Sequence, residues 1–359
     1  MQNLNLICPI GFTGYGITSL NIYKQLKKQN INTVLFPMGQ VSIDTQEDRN
    51  MILEDMNKQM SFSTKDPCFK IWHQFDLATR VGNGQYSALT FFETDRLKPL
   101  EITMINNLDY VFVASKWAKE ILVNNGINIP IYVSPLGVDP EIFNEEVTKN
   151  NESEKLKDKY VFLNVGKWEI RKGHDVLLEA FNNAFSIEDN VELWMVNHNP
   201  FLSQDENGMW INLYKNSSLG SKIKILPRVP THKDLAKLIS TCDCGVFPAR
   251  AEGWNNEVPE FYALDKPVIL TNYSAHTEYA TKDNSYLIDI DDLVPAVDNK
   301  FFDGHGNWAD LGDRQQEQLV EHMRYVYKNN IRSNPGGLNT AKLLTWNNTA
   351  KIIQHHIYG

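Results

Sequence analysis

Cys244-Gly245-Val246-Phe247-Pro248-Ala249-Arg250-Ala251-Glu252-Gly253-Trp254-Asn255-Asn256-Glu257-Val258-Pro259-Glu260 decides the fold. Cys244–Phe247 is a short apolar run without polar alternation, the pattern of a strand covered on both faces. The turn after it leads into a helix that continues through Phe261 and Leu264 until Asp265-Lys266-Pro267 stops it. Pro259 is tolerated there because the N–H groups of a first helical turn have no partner within the helix. Pro267–Leu270 is the next apolar run, so the segment reads strand, loop, helix, strand, which is the unit of a doubly wound parallel α/β sheet. Such sheets bind ligands beyond the carboxyl ends of their strands. Two carboxylates stand at this one. Glu252 lies before the helix, where it can reach ligand hydroxyls, and Glu260 lies in its first turns, where an acceptor-only group can take both donors of a vicinal diol. A helix start also offers free N–H groups to an anion. The alternative is a pair of surface carboxylates capping the helix.

The same pattern extends in both directions. Tyr160–Val165 reads as a strand, Gly166–Gly173 as a turn and Asp175–Phe185 as a helix; Glu192–Val196, Ile223–Leu226 and Tyr286–Ile288 read as further strands. The turn carries Lys167 and Lys172, with Arg171 as an extra cation. Two cations on one strand-to-helix loop can clamp a diphosphate and stabilise charge that develops on it; the alternative is a solvated basic turn. Upstream, Leu4–Ile7 precedes Gly11-Phe12-Thr13-Gly14-Tyr15-Gly16, a helix over Ile17–Gln29 and a strand at Thr33–Phe36. Glycines after a first strand let backbone approach phosphates. Phe69–Trp72, Ser87–Phe92, Tyr110–Ala114 and Ile131–Ser134 complete this half, with a helix capped by Ser115 that ends at Gly126. Asn144–Lys159, rich in Asn, Glu and Lys, reads as a linker, so the chain divides into two α/β halves near residue 150.

Bulk properties bound the function. A chain of 359 residues suits two such domains. A formal net charge of −9 argues against a protein that grips a nucleic-acid backbone, and no stable nucleic-acid partner is expected. The N-terminus has no basic and apolar leader and no run approaches a membrane span, so a cytoplasmic protein is expected. Cys8, Cys68, Cys242 and Cys244 have no framework spacing and read as reduced thiols. Cys242-x-Cys244 lacks a second ligand pair, and no metal site is expected. His355-His356 reads as solvated and Gly304–Gly306, with His305, as a surface turn.

Glu252-x7-Glu260 resembles the E-x7-E motif of family-4 glycosyltransferases (glycosyl transferases group 1) with the GT-B fold, and Gly166-Lys167-x4-Lys172-Gly173 resembles their G-R/K-x4-K-G element. The loop Gly11–Gly16 is similar to their glycine-rich first loop. Ser134-Pro135-Leu136-Gly137-Val138-Asp139 with Phe143 resembles the end of their first domain, and Thr345-Trp346-Asn347-Asn348-Thr349-Ala350 the start of a terminal crossover helix. The matches run in order from about residue 11 to residue 350. The resemblance implies two Rossmann-like domains facing a cleft: an acceptor domain over residues 1–150 with a crossover helix at 345–359, and a donor domain over 156–344.

It further implies a retaining, metal-independent transferase that uses a nucleoside-diphosphate sugar and no other cofactor. Glu252 would contact the donor sugar and Glu260 the ribose, while Lys167 and Lys172 hold the diphosphate. Gly14 and the backbone of Trp254, Asn255 and Asn256 would approach the donor, although many relatives have Gly where Asn255 stands. Arg228, in the loop Pro227–Pro230, falls where the nucleotide base is held. The family's mid-domain histidine is replaced in this chain by Glu93 of Phe92-Glu93-Thr94-Asp95. Glu93 could orient an acceptor hydroxyl, contact the donor or simply cap a helix. His73 could enter the same site or be structural, and His276 could touch the donor. The catalytic set on this reading is Glu93, Lys172 and Glu252. The acceptor stays open among a glycan, a lipid-linked sugar, a small molecule, a protein and a modified DNA base. A non-catalytic sugar-nucleotide or glycan-binding module and a GT-B epimerase or phosphorylase are the rival functions.

Overall fold

The computed structural model describes residues 2–43, 45–151, 156 and 158–359. Of the stretch read as a linker, residues 152–155 and 157 lie outside the described residues. The chain forms two compact units, Met1–Gly137 with Leu344–Gly359, and Val138–Leu343. Residues 138–150 sit with the second unit: their short helix packs on Leu264 through the Thr148 hydroxyl, which donates to the Leu264 carbonyl at 3.1 Å.

The first unit holds β1 (Asn3–Cys8), β2 (Asn32–Pro37), β3 (Cys68–Ile71), β4 (Tyr86–Leu89), β5 (Tyr110–Val113) and β6 (Ile131–Val133), and the helices α1 (Gly14–Lys28), α2 (Gln46–Asn57), α3 (Pro99–Asn106) and α4 (Lys116–Asn124). Its sheet has the order β2-β1-β3-β4-β5-β6. Every pairing is parallel. All four residues of each of β3, β4 and β5 are buried, as strands between two helix layers must be. The Ser115 hydroxyl caps α4 by accepting from the Ala118 N–H at 3.1 Å.

The second unit holds α5 (Glu145–Asn150), β7 (Tyr160–Gly166), α6 (His174–Ala184), β8 (Val191–Asn197), α7 (Gln204–Lys215), β9 (Ile223–Ile225), α8 (His232–Thr241), β10 (Cys244–Phe247), α9 (Glu257–Ala263), β11 (Val268–Thr271), β12 (Tyr286–Ile288), β13 (Leu293–Val297), β14 (Asp303–Ala309), α10 (Asp313–Lys328) and α11 (Pro335–Leu343). The parallel sheet runs β12-β11-β10-β7-β8-β9. This is again the doubly wound order, with its topological switch between β7 and β10. Gly173 has φ +70° and a Cβ there would lie 1.9 Å from the Pro248 carbonyl oxygen, so only glycine lets the start of α6 press against the exit of β10.

Two readings of the sequence need correction. Gly304–Gly306 with His305 is not a surface turn but part of β14, which pairs antiparallel with β13. His356 is not simply solvated: its ring stacks on Tyr132 at 3.6 Å between centroids. That contact belongs to α12 (Trp346–Tyr358), which returns the chain to the first unit. There the Thr349 hydroxyl donates to Pro135 O at 2.7 Å and the Tyr358 hydroxyl to Asn3 O at 2.6 Å. The four cysteines are buried and in no disulfide. Among the described residues no helix is long and apolar enough to cross a membrane.

Candidate functional site

In the second unit the candidate residues come from loops at the carboxyl ends of adjacent strands: Lys167 and Lys172 after β7, Glu252 to Asn256 after β10 and His276 after β11. They are joined by a chain of charges. Lys167 Nζ lies 2.7 Å from Glu169 Oε1, and Glu169 Oε2 accepts from Arg171 Nη2 at 2.7 Å. Arg171 Nη1 lies 2.9 Å from Glu252 Oε2 and also donates to Ala251 O at 2.7 Å. Lys172 Nζ closes the chain at 2.8 Å from Glu252 Oε1. Glu169, Arg171, Lys172 and Glu252 are all buried, whereas Lys167 is half-buried, its side chain 39% exposed. The ammonium of Lys167 also lies 5.3 Å from the centroid of the Phe201 ring. The two lysines expected to act alike therefore differ: one is a surface cation, the other an interior one.

The electrostatics follow from this pairing. Burial alone would raise the Glu252 carboxyl, but Arg171 and Lys172 hold it well below the usual carboxylate range. Burial would likewise raise Glu169, and Arg171 and then Lys167 bring it down. Burial would lower Lys172, and the Glu252 and Glu257 carboxylates together more than offset that. All these groups are thus charged at neutral pH. Glu260 differs: burial, with Glu257 nearby, pushes its carboxyl well up.

Asn255 explains how the loop manages without the glycine of many relatives. Its φ is +72°, in the left-handed region that asparagine tolerates better than most residues. Its side-chain amide donates to His276 Nε2 at 3.0 Å, while His276 Nδ1 faces Thr271 O at 3.0 Å. The imidazole is fully buried, and burial brings it down to about 4, so it is neutral. His276 therefore sits behind the loop as a brace for Asn255. Around it, Trp254 Nε1, Asn255 Oδ1 and Asn256 Oδ1 are buried with no hydrogen-bond partner among the described residues. Unsatisfied buried polar atoms are costly, and three on one loop mark a place where a polar ligand can complete them. A narrow pocket here is lined by Asn164, Lys172, Phe247, Glu252 and Asn255, among others. Arg228 is exposed on the loop between β9 and α8.

Sequence reasoning missed the support beneath these loops. His174 Nδ1 accepts from the Glu169 N–H at 3.1 Å and Nε2 faces Asn164 Oδ1 at 3.1 Å. Burial, with Lys172 close by, brings this imidazole down to about 3. The only sequence cue was its position directly after Gly173.

In the first unit, Gly16 rather than Gly14 is the sterically required glycine. A Cβ on Gly16 would lie 2.5 Å from Gly11 N, whereas one on Gly14 would meet nothing within 4 Å. Tyr15 lies over the ends of β3 and β4: its ring is 4.4 Å from that of His73 and 5.0 Å from that of Phe91, centroid to centroid. Its hydroxyl accepts from the Phe91 N–H at 3.1 Å. Burial pushes the phenol up, and the Glu93 carboxylate adds to this. Glu93 thus stands near Tyr15 in the loop after β4. Glu101 caps α3 by accepting from the Lys98 N–H at 2.6 Å.

Residues 146–299 match the family described as glycosyl transferases group 1. The second unit carries a group 1 glycosyltransferase domain, and the chain is a glycosyltransferase with the GT-B fold. Solved structures agree over the full length. A sucrose-phosphate synthase from Thermosynechococcus elongatus superposes with a TM-score of 0.75 at 15% identity, over 99% of this chain and 98% of the other. HepE of Anabaena, in complex with UDP and glucose, gives 0.70 at 12% identity, over 99% of each chain. An alpha,alpha-trehalose-phosphate synthase (UDP-forming) from Burkholderia vietnamiensis gives 0.68 at 9% identity, over 99% and 97%. At these identities the likeness is one of fold. No curated protein matches the sequence.

Proposed function

We propose that this glycosyltransferase moves a sugar from a nucleoside-diphosphate sugar to an acceptor hydroxyl, with retention at the anomeric carbon and without a divalent metal. The observation that carries this reading is the buried Lys172–Glu252 pair set beside the unsatisfied polar atoms of Trp254, Asn255 and Asn256. In the proposed reaction the bond from the anomeric carbon to the diphosphate oxygen breaks, and a bond from the same carbon to the acceptor oxygen forms. The acceptor proton passes to the departing phosphate. Lys172, with Lys167 at the surface, neutralises the charge that builds on the diphosphate, the task a metal ion performs in other transferases. Glu252, relieved of Lys172 by the diphosphate and still held by Arg171, accepts hydrogen bonds from the donor sugar. Glu260 takes the ribose diol.

HepE has been solved with UDP-glucose, which makes UDP-sugars the first donors to test. In a thermal-shift comparison of UDP-, GDP-, ADP-, TDP- and CDP-sugars, the true donor at 100 times its Kd should add about 2.7 kcal/mol to stability. Activity should survive EDTA. No stabilisation by any of the five, or a strict metal requirement, would overturn the reading. Turnover of the donor into an epimer without an acceptor would mark an epimerase instead.

Two substitutions test individual roles. Because burial raises Glu260, binding of the ribose to its ionised form must release a proton, so affinity for the nucleotide sugar should rise with pH. Glu260→Gln should weaken that affinity by about 1.5–3 kcal/mol and remove the pH dependence. Titration calorimetry in buffers of different ionisation enthalpy reads both quantities, and an unchanged affinity would end the assignment. Glu93→Gln should leave donor binding intact and lower transfer by about 10- to 1,000-fold. Loss of donor affinity in step with transfer would place Glu93 on the donor instead.

A further inference from the structure

We infer that His276 is a positioning residue: it fixes the side-chain amide of Asn255 so that the amide oxygen takes a hydroxyl of the donor sugar. This rests on the glycosyltransferase reading above and adds to it the group that decides which hydrogen-bonding partner the sugar must supply.

The segment that follows β11 holds the loop after β10 from one side. The Glu252 N–H donates to Ser274 Oγ at 2.9 Å, the Ala275 N–H donates to Glu252 O at 3.2 Å, and the Tyr279 hydroxyl donates to Trp254 O at 2.7 Å. His276 belongs to the same segment and reaches the side chain of Asn255. Its Nδ1 is 3.0 Å from Thr271 O, a carbonyl that can only accept. It is also 3.3 Å from Thr271 Oγ1, whose own proton goes to Ala249 O at 2.6 Å. Nδ1 therefore carries the ring proton. The buried imidazole is neutral, so Nε2 is a bare lone pair that can only accept. Its partner at 3.0 Å is the Asn255 amide, and only the nitrogen of that amide can donate. His276 thus decides which way round the amide stands: nitrogen toward the histidine, Oδ1 away from it.

That oxygen is left buried with no partner among the described residues. Asn255 is itself only 6% exposed and lines the narrow pocket together with Lys172 and Glu252. An amide oxygen is unsuited to a diphosphate, because both groups only accept. It suits a hydroxyl. Glu252 and the unpartnered Asn256 Oδ1 bring further acceptors on the same loop, while the buried cation Lys172 comes from the loop after β7. The two loops divide the donor between them, cation to diphosphate and acceptors to the hydroxyl-rich sugar. A sugar without the matching hydroxyl leaves Oδ1 buried and unpaired, which costs more than the loss of one contact. With the amide reversed, its nitrogen would face the pocket and this selection would vanish.

The test uses the full chain, the nucleotide sugar of the thermal-shift comparison that stabilises it most, and the matching nucleoside diphosphate, both titrated by calorimetry. Asn255→Gly deletes the amide and keeps the left-handed backbone, which glycine adopts without steric cost. It should weaken the nucleotide sugar about tenfold and the nucleoside diphosphate by less than about twofold. His276→Phe keeps a flat ring but offers Asn255 no lone pair, and it should show the same selective loss. The double variant should bind no more weakly than Asn255→Gly alone, because the two residues act through one oxygen. His276→Gln, whose side-chain oxygen can accept from Asn255, should bind the nucleotide sugar more tightly than His276→Phe. Melting curves check the fold of each variant, and Asn255→Gly with His276→Gln decide the matter if His276→Phe does not fold. Unaltered sugar affinity in Asn255→Gly, equal losses for nucleotide sugar and nucleoside diphosphate, or additive losses in the double variant would overturn the inference. In each of those cases the unaltered chain still binds its nucleotide sugar and the donor reading stands. Failure of every nucleotide sugar to bind would sink both.

Discussion

Lys172→Ala is expected to lower sugar transfer by about 100- to 1,000-fold while the protein stays folded. The expectation of a stable fold comes from the geometry of Glu252. Each of its two carboxylate oxygens has its own cation, Lys172 at 2.8 Å and Arg171 at 2.9 Å. Removing the lysine therefore leaves the buried carboxylate with a guanidinium and not alone. The large kinetic effect comes from burial. A cation already out of water meets the diphosphate without first shedding a hydration shell, and it meets more charge on the leaving group in the transition state than in the ground state. Donor affinity should thus fall much less than kcat. Lys167→Ala is the internal comparison: its side chain is half-buried and more open to water than that of Lys172, and the loss should be smaller. Single-turnover kinetics with the stabilising nucleotide sugar, beside calorimetric donor affinity, separate the two quantities. Equal kcat in Lys172→Ala and the unaltered chain would remove the leaving-group role.

The two Rossmann-like units were legible because buried parallel strands announce themselves as short apolar runs. Every strand expected in the two parallel sheets is present within a few residues. The β13–β14 hairpin was not legible: Asp303-Gly304-His305-Gly306-Asn307 has neither an apolar run nor a clean alternation. That hairpin is held by Trp308, which packs with Ala251 and Ala296, a tertiary cause that no local pattern reports. The site was legible in its ends and not in its middle. Glu252, Glu260, Lys167 and Lys172 stand out by spacing. Arg171 looked like one more cation in a basic turn, because its partners at Ala251 and Glu252 lie some 80 residues away along the chain. His276 looked like a ligand contact because it follows a strand end; its burial and its bond to Asn255 make it a brace. Asn255 could be seen as a departure from glycine, but only the +72° backbone shows that the asparagine takes up a left-handed conformation there.

Arg171 is where the largest loss of stability is expected. Its guanidinium is buried between two buried carboxylates: Nε and Nη2 donate to Glu169 Oε2 at 3.0 and 2.7 Å, and Nη1 lies 2.9 Å from Glu252 Oε2. Arg171→Met keeps the volume and removes the charge. Glu169 is then left with the half-buried Lys167, Glu252 with Lys172, and the Ala251 carbonyl loses the donor at 2.7 Å. Breaking a buried charge pair from one side costs about 3–5 kcal/mol, more than most single substitutions. The pH dependence gives the cause away. Both carboxyls are depressed in the folded chain, so they add stability above their unfolded values, and that stability is lost as pH falls toward the folded ones. In the variant the upward push of burial is no longer fully offset, so each carboxyl gives less stability at neutral pH and has less to lose in acid. The gap between the two proteins should be wide at pH 7 and narrower at pH 3, because the loss falls below the ordinary carboxylate value of 4.5. Urea unfolding at both values measures it. A gap that is absent, or equally wide at both, would mean that Arg171 acts through packing and that the charge chain does not hold Glu252 in place.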